Sequence, residues 1–235
     1  MTITGGSGND TIFGGKSVDL LSGGGGNDTI TGGLGNDTIE GGAGADALDG
    51  GEGNDLLYFD SPDTAVIGGN GTDTANLAAA TEGITLNLLT SKLETVNAQK
   101  STFANTFDAT GATWIVNVTG GSGADSMFGG NLNDKLFGGA GNDTIIGNLG
   151  NDVLDGGAGI DTVSYATATS RVEANLAQNR AVGGAGTDSL LGFENLTGSA
   201  FNDKLVGNSG ANVIRGGAGI DDIIGGGGTD TIIQD

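Results

Sequence analysis

The sequence predicts an all-β chain of short parallel strands wound into a two-sheet solenoid. Three observations predict it. A nine-residue pattern, GGxGxDxUx with U apolar, recurs in frame. Gly and Asp hold fixed places in that pattern, and 50 of the 235 residues are Gly. The eighth position is apolar in copy after copy.

The first block starts at Gly5 and reads GGSGNDTIF, GGKSVDLLS, GGGGNDTIT, GGLGNDTIE, GGAGADALD and GGEGNDLLY, ending at Tyr58. The second runs from Gly120 to Ser164, and the third from Gly198 to Ile233. Single copies stand at 68–76 and 183–191. Together these make 17 copies and 153 residues, and 16 of the 23 Asp stand at position six, the exception being Asn212. Position eight is Ile, Leu, Val or Met in every copy but the one that carries Ala75. The expected organisation is a first block over 1–76, an insert over 77–119, a second block over 120–164, a second insert with one isolated repeat over 165–197, and a third block over 198–235.

Each copy divides into a six-residue turn and a three-residue strand. The turn needs positive φ and close approach of carbonyls, which Gly allows without a Cβ clash. In the strand, alternation points one side chain inward and its neighbours outward. Two copies make one coil, so 18 residues advance the chain by one strand spacing of ~4.8 Å. Ile12, Leu21, Ile30, Ile39, Leu48 and Leu57 are then expected between the sheets, and turns of alternate copies stack on one edge.

Composition excludes several functions. There is no His and no Cys, hence no His/Cys zinc site, no Ser-His-Asp triad and no thiol nucleophile. The formal charge of −21 would repel nucleic-acid phosphates. No apolar run approaches the ~18–20 residues of a membrane span. MTITGGSGND has neither the basic nor the apolar region of a classical signal peptide. Collagen would need Gly at every third position with much Pro, and Pro occurs once. Apolar residues at 36 % and placement this regular also exclude a flexible linker.

The pattern resembles the RTX, or haemolysin-type calcium-binding, nonapeptide. The resemblance implies a right-handed parallel β-roll that binds Ca²⁺ and has no catalytic residues of its own. Stacked turns line their gap with carboxylates and carbonyls, hard oxygen donors that suit six- to eight-coordinate Ca²⁺ better than Mg²⁺. The carboxylate ligands so implied are Asp10, Asp19, Asp28, Asp37, Asp46, Asp55, Asp73, Asp125, Asp134, Asp143, Asp152, Asp161, Asp188, Asp203, Asp221 and Asp230. In the family, one turn adds the carbonyls of positions two and four, and the turn above adds those of positions one and three. Carried over, Gly6, Gly8 and Asp10 face Gly23, Gly25 and Asp28. Further carbonyls carried over are those of Gly24, Gly26, Gly33, Gly35, Gly41, Ala43, Gly50 and Glu52, and of Gly139, Gly141, Gly156 and Ala158 in the second block. Asp19 is expected to pair with Asp37, Asp28 with Asp46, Asp125 with Asp143, Asp134 with Asp152, and Asp143 with Asp161.

Departures mark weaker sites. Ser17, Leu132 and Phe201 replace the Gly of position four; Asn148, Ser199 and Asn208 replace that of position two; Asn212 loses a charge. One buried apolar residue per nine cannot offset the entropy of ordering nine residues, and the stacked carboxylates repel. The roll is therefore expected to fold with its metal. Complete same-edge pairs give roughly nine Ca²⁺, or about +18 against the formal −21.

The two inserts resemble each other. TANLAAATEGITLNL follows Asp73 and TVSYATATSRVEANL follows Asp161; LETVNA and FENLTG come later. The second resembles the segment that interrupts the roll in serralysin-type protease C-terminal domains, and the first resembles bacterial S-layer RTX proteins. ITLNL, VEANL and WIVNV read as strands. The inserts are expected to be longer coils of the solenoid, with a lateral docking face as the alternative. Trp114, Phe103 and Phe107 read as core rather than as a carbohydrate platform, and Glu94 and Glu194 as structural caps rather than an acid pair.

The resemblance implies a secreted or cell-surface protein that leaves unfolded through a type I secretion channel and folds on calcium outside. A calcium-dependent adhesin or surface-layer component, self-associating through the inserts, is one alternative. The non-catalytic repeat domain of a secreted protease or polysaccharide-modifying enzyme is the other. The chain opens on TIT, like the tail of an absent copy, and closes two residues after a complete one. A fragment of a longer protein and a short family member both fit.

Overall fold

The computed structural model describes residues 1–234; Asp235, the end of the expected third block, lies outside the described residues. The chain forms two compact units, Met1–Phe103 and Ala104–Asp235, a division that falls inside the expected 77–119 insert. Each is a parallel β-solenoid, as the nonapeptide period predicts.

In the first unit, one sheet holds the strands Thr2–Gly6, Leu20–Gly25, Thr38–Ala43, Leu56–Asp60, Thr74–Ala79 and Thr95–Asn97 in that order. The other holds Thr11–Gly15, Thr29–Leu34, Ala47–Glu52 and Ala65–Asn70. Register is set by the eighth position. Ile3, Leu21, Ile39, Leu57, Ala75 and Val96 stand in one row, and Ile12, Ile30, Leu48 and Val66 in the other. All but Ile3 are buried. The segment FDSPDTAVI, outside the repeat pattern, supplies the half coil that one copy would, because Val66 pairs in register with Leu48.

In the second unit, Phe107, Met127, Ile145, Val163, Leu196 and Ile214 form one buried row. Val118, Leu136, Leu154 and Leu190 form the facing row. That sheet then departs from the all-parallel expectation. Arg180–Gly183 runs antiparallel to both of its neighbours, Val172–Asn175 and Gly186–Leu191. Two local reversals cause this. Asn179 takes the left-handed conformation after a short helical turn, and Gly183 pairs with Gly186, both at positive φ, across the two-residue turn Gly184–Ala185. The isolated copy 183–191 is thus half hairpin and half coil, and Gly186–Leu191 still pairs parallel with Val153–Ala158.

Both inserts share one device. Asn87 and Asn175 cap single helical turns, Leu88–Ser91 and Leu176–Gln178, by accepting the amide three residues on. ITLNL and VEANL are therefore strands only as far as those caps, over Thr85–Asn87 and Val172–Asn175. WIVNV is a strand only over Asn117–Thr119, because Trp114 sits in a bend ahead of it. Phe107 is fully buried, Phe103 is exposed and Trp114 is half-buried. Among the described residues no helix is long and apolar enough to cross a membrane.

With one interior side chain per strand, truncating one opens a cavity that its neighbours cannot fill. Ile39→Ala is expected to cost about 2–5 kcal/mol in urea unfolding of the calcium-saturated chain. Ile220→Ala, at a side chain 84 % exposed, is expected to cost under about 0.5 kcal/mol. Equal costs would contradict the single-row core.

Candidate metal centre

The turns stack through their aspartates. In each regular pair the carboxylate of the upper turn reaches down, and its Oδ1 accepts the amide of the aspartate 18 residues earlier. The Asp10 amide donates to Asp28, Asp19 to Asp37, Asp28 to Asp46, Asp37 to Asp55 and Asp55 to Asp73, all at 2.7–2.8 Å. The second unit repeats this for Asp125 with Asp143, Asp134 with Asp152, and Asp143 with Asp161 at 2.7–2.8 Å, and for Asp203 with Asp221 at 2.8 Å. The pairs expected from the period are thus side by side.

This bond uses one oxygen and leaves the other. Oδ2 of Asp19, Asp28, Asp37, Asp46, Asp55, Asp73, Asp143, Asp152 and Asp161 is buried and has no hydrogen-bond partner among the described residues. These residues are at most 4 % exposed. The free oxygen faces carbonyls. A methyl group on Gly23 would strike both Asp28 Oδ2 and the carbonyl of Gly41 in the turn above. One on Gly42, whose φ is +108°, would strike the carbonyl of Gly24 below. The repeat's glycines leave open a cradle of oxygens between stacked turns.

The cradle fits Ca²⁺. Its donors are all hard oxygens, with carbonyls in excess of carboxylates. Among the described residues no three carboxylates gather round one point, so the carbonyls must supply much of any coordination shell. Gly6 and Gly8 on the lower turn and Gly23 on the upper turn offer theirs at the first interface beside Asp10.

Burial and like charge raise the aspartates. Burial, assisted by neighbouring carboxylates, pushes Asp55, Asp73 and Asp143 up to about 6. Burial, with the charges of Asp188 and Asp134, pushes Asp152 up to about 8. An ionised carboxylate without a partner is costly in such a place. A proton or a cation relieves it.

Other predicted residues are held differently. In the turns that open the second and third blocks, the chain satisfies its own aspartate. The Gly121 amide donates to Asp125 Oδ2 at 2.8 Å and the Gly130 amide to Asp134 Oδ2 at 2.6 Å. The Ser199 hydroxyl donates to Asp203 at 2.8 Å, and the Asn208 amide to Asn212 Oδ1 at 2.8 Å. Asp188 lies over Asp152 after 36 residues rather than 18, because the hairpin intervenes. Its Oδ2 accepts the buried Tyr165 hydroxyl at 2.9 Å. Asp230 accepts the Asn212 amide at 3.0 Å, and Asp10, Asp221 and Asp230 are only half-buried.

Several working residues escape the nonapeptide pattern. Glu94 and Glu194 accept the amides of Asp73 at 2.7 Å and Asp161 at 2.8 Å, so a longer carboxylate takes the aspartate's role at each insert. Asp63 does the same for Asp46 at 2.9 Å from one residue out of phase. Position-five asparagines form a second ladder in the opposite sense. Oδ1 of Asn9, Asn36 and Asn54 accepts the amide 18 residues later at 2.8–3.0 Å. Their recurrence in GND was the available signal.

The family model for the RTX calcium-binding nonapeptide repeat matches residues 2–30, 22–57, 117–135, 128–163 and 197–232, together more than half of the chain. No curated protein matches the chain.

The raised carboxyls set a pH dependence. Without metal, the folded chain holds more protons than the unfolded chain between about pH 4 and pH 8, so its stability falls as pH rises through that window. A cation displaces those protons, so its affinity rises over the same window. Circular dichroism of the metal-free chain is expected to show more β-structure at pH 5 than at pH 8. Proton release per bound ion should shrink from pH 6 to pH 8.5. A pH-independent spectrum and no proton release would contradict this.

Proposed function

Since the chain belongs to the RTX calcium-binding nonapeptide repeat family, we propose that it is the calcium-binding β-roll module of an exported protein, folding as it takes up Ca²⁺ outside the cell. The observation that carries this reading is the row of buried Oδ2 atoms without partners in stacked turns. The fold itself is a structural one, not catalytic by itself. Ca²⁺ neutralises the carboxylates and ties adjacent turns together. The chain supplies the rest: Oδ1 bonds set the stacking, glycines keep the cradle clear, and the apolar row holds the sheets together.

The same features explain why folding would wait for export. Sites with the affinity of extracellular calcium modules, ~10⁻⁴–10⁻³ M, would stay empty at cytosolic free calcium. An unfolded, strongly acidic chain suits passage through a type I secretion channel, and calcium outside would then drive it to fold. The proposed ligands are the position-six aspartates with the carbonyls of their turns, in roughly nine sites.

Far-UV circular dichroism during a calcium titration tests this. The chelated chain is expected to be largely disordered at pH 7.5, to gain β-structure cooperatively with calcium, to lose it with EGTA, and to respond little to Mg²⁺. Full β-structure in EGTA would overturn the reading.

A further inference from the structure

In a regular turn one aspartate does two things. Asp37 shows both: its Oδ1 accepts the Asp19 amide at 2.8 Å, and its Oδ2 stays buried without a partner. The half coil formed by FDSPDTAVI has no GGxGxD turn, yet it stacks on the turn that ends at Asp46. Thr64 anchors it there, its hydroxyl donating to the Asp46 carbonyl at 2.9 Å.

Asp63 performs only the first of the two tasks. Its Oδ1 accepts the Asp46 amide at 2.9 Å, and its Oδ2 accepts the Asp60 amide at 2.9 Å. Both oxygens are therefore committed to backbone. Asp60 holds what Asp63 lacks, since its Oδ1 is buried and has no hydrogen-bond partner among the described residues. On the turn below, Asp46 is 0 % exposed and its Oδ2 is likewise buried and unpartnered. Through its two oxygens Asp63 bridges the backbone amides of Asp46 and Asp60, which brings both residues to one carboxylate.

We propose that Asp46 and Asp60 hold a divalent cation, Ca²⁺, in a site outside the nonapeptide pattern, with the two tasks of one aspartate divided between Asp63, which stacks, and Asp60, which binds. The turn below also carries Gly42 and Gly44 at positions two and four, where regular turns offer carbonyls. Asp60, Ser61 and Asp63 line an open cleft of about 430 Å³ on the outer side of this turn. This inference rests on the calcium reading above and extends it to a half coil the repeat does not describe.

Crystals of the full chain grown in calcium test it, with equilibrium dialysis of the same protein. The expected result is ion density touching Asp46 and Asp60, in addition to ions along the regular edges. Asp60→Asn should remove that density alone and lower the bound calcium by one ion per chain. Ions along the regular edges but none at Asp46 and Asp60, or unchanged stoichiometry in Asp60→Asn, would overturn the site and leave the calcium reading standing. A folded chain with no ions anywhere would overturn both.

Discussion

The fold turns on one constraint: aspartates brought together every 18 residues must be buried, and in the regular turns each satisfies only one of its oxygens with backbone. Oδ1 takes the amide of the aspartate below and so fixes the stacking. Oδ2 is then left among carbonyls, with like-charged neighbours one strand spacing away. Such a row is unstable as bare anions in a low-dielectric setting. The acids that repel the unfolded chain from itself become, once a cation lies between turns, the link between successive coils.

The structure manages this constraint locally. Where a block opens after an insert, the turn's own second amide reaches the carboxylate, as Gly121 does for Asp125 and Gly130 for Asp134. Where the hairpin interrupts the sheet, Tyr165 supplies the donor to Asp188. Where an insert lengthens the coil, a glutamate spans the added distance, as Glu94 and Glu194 do. In each case a hydrogen bond or a longer side chain stands in where a neighbouring regular turn is missing. The regular interiors of the first and second blocks keep their Oδ2 atoms free among the described residues.

Much of this was legible in the residues. The nine-residue period set the coil, position eight set the buried rows, and position six set the pairs, because each side chain must recur in the same orientation every 18 residues. The half coil of Phe59–Ile67 was not legible, since its aspartate falls one residue out of phase and its glycines are gone. Val66 was the surviving signal, 18 residues after Leu48 and buried over it. The antiparallel excursion was hidden for a different reason. Gly183–Gly186 satisfies the nonapeptide pattern and a tight hairpin turn equally well, and only the pairing of Arg180–Gly183 with its two neighbours decides between them. Which turns close on their own aspartate was also beyond the sequence, because Gly121 and Gly139 look identical there. Gly139 has a φ of +107° and turns its amide away, whereas Gly121 does not have positive φ.

Small-angle scattering of the full chain at pH 7.5, in chelator and then in millimolar calcium, tests the central claim most directly. The account predicts a radius of gyration near the about 50 Å of an unfolded chain of this length in chelator, with a sharp contraction on adding calcium. The same compact dimensions in both conditions would mean that the carboxylate rows tolerate burial without a cation, and would contradict it.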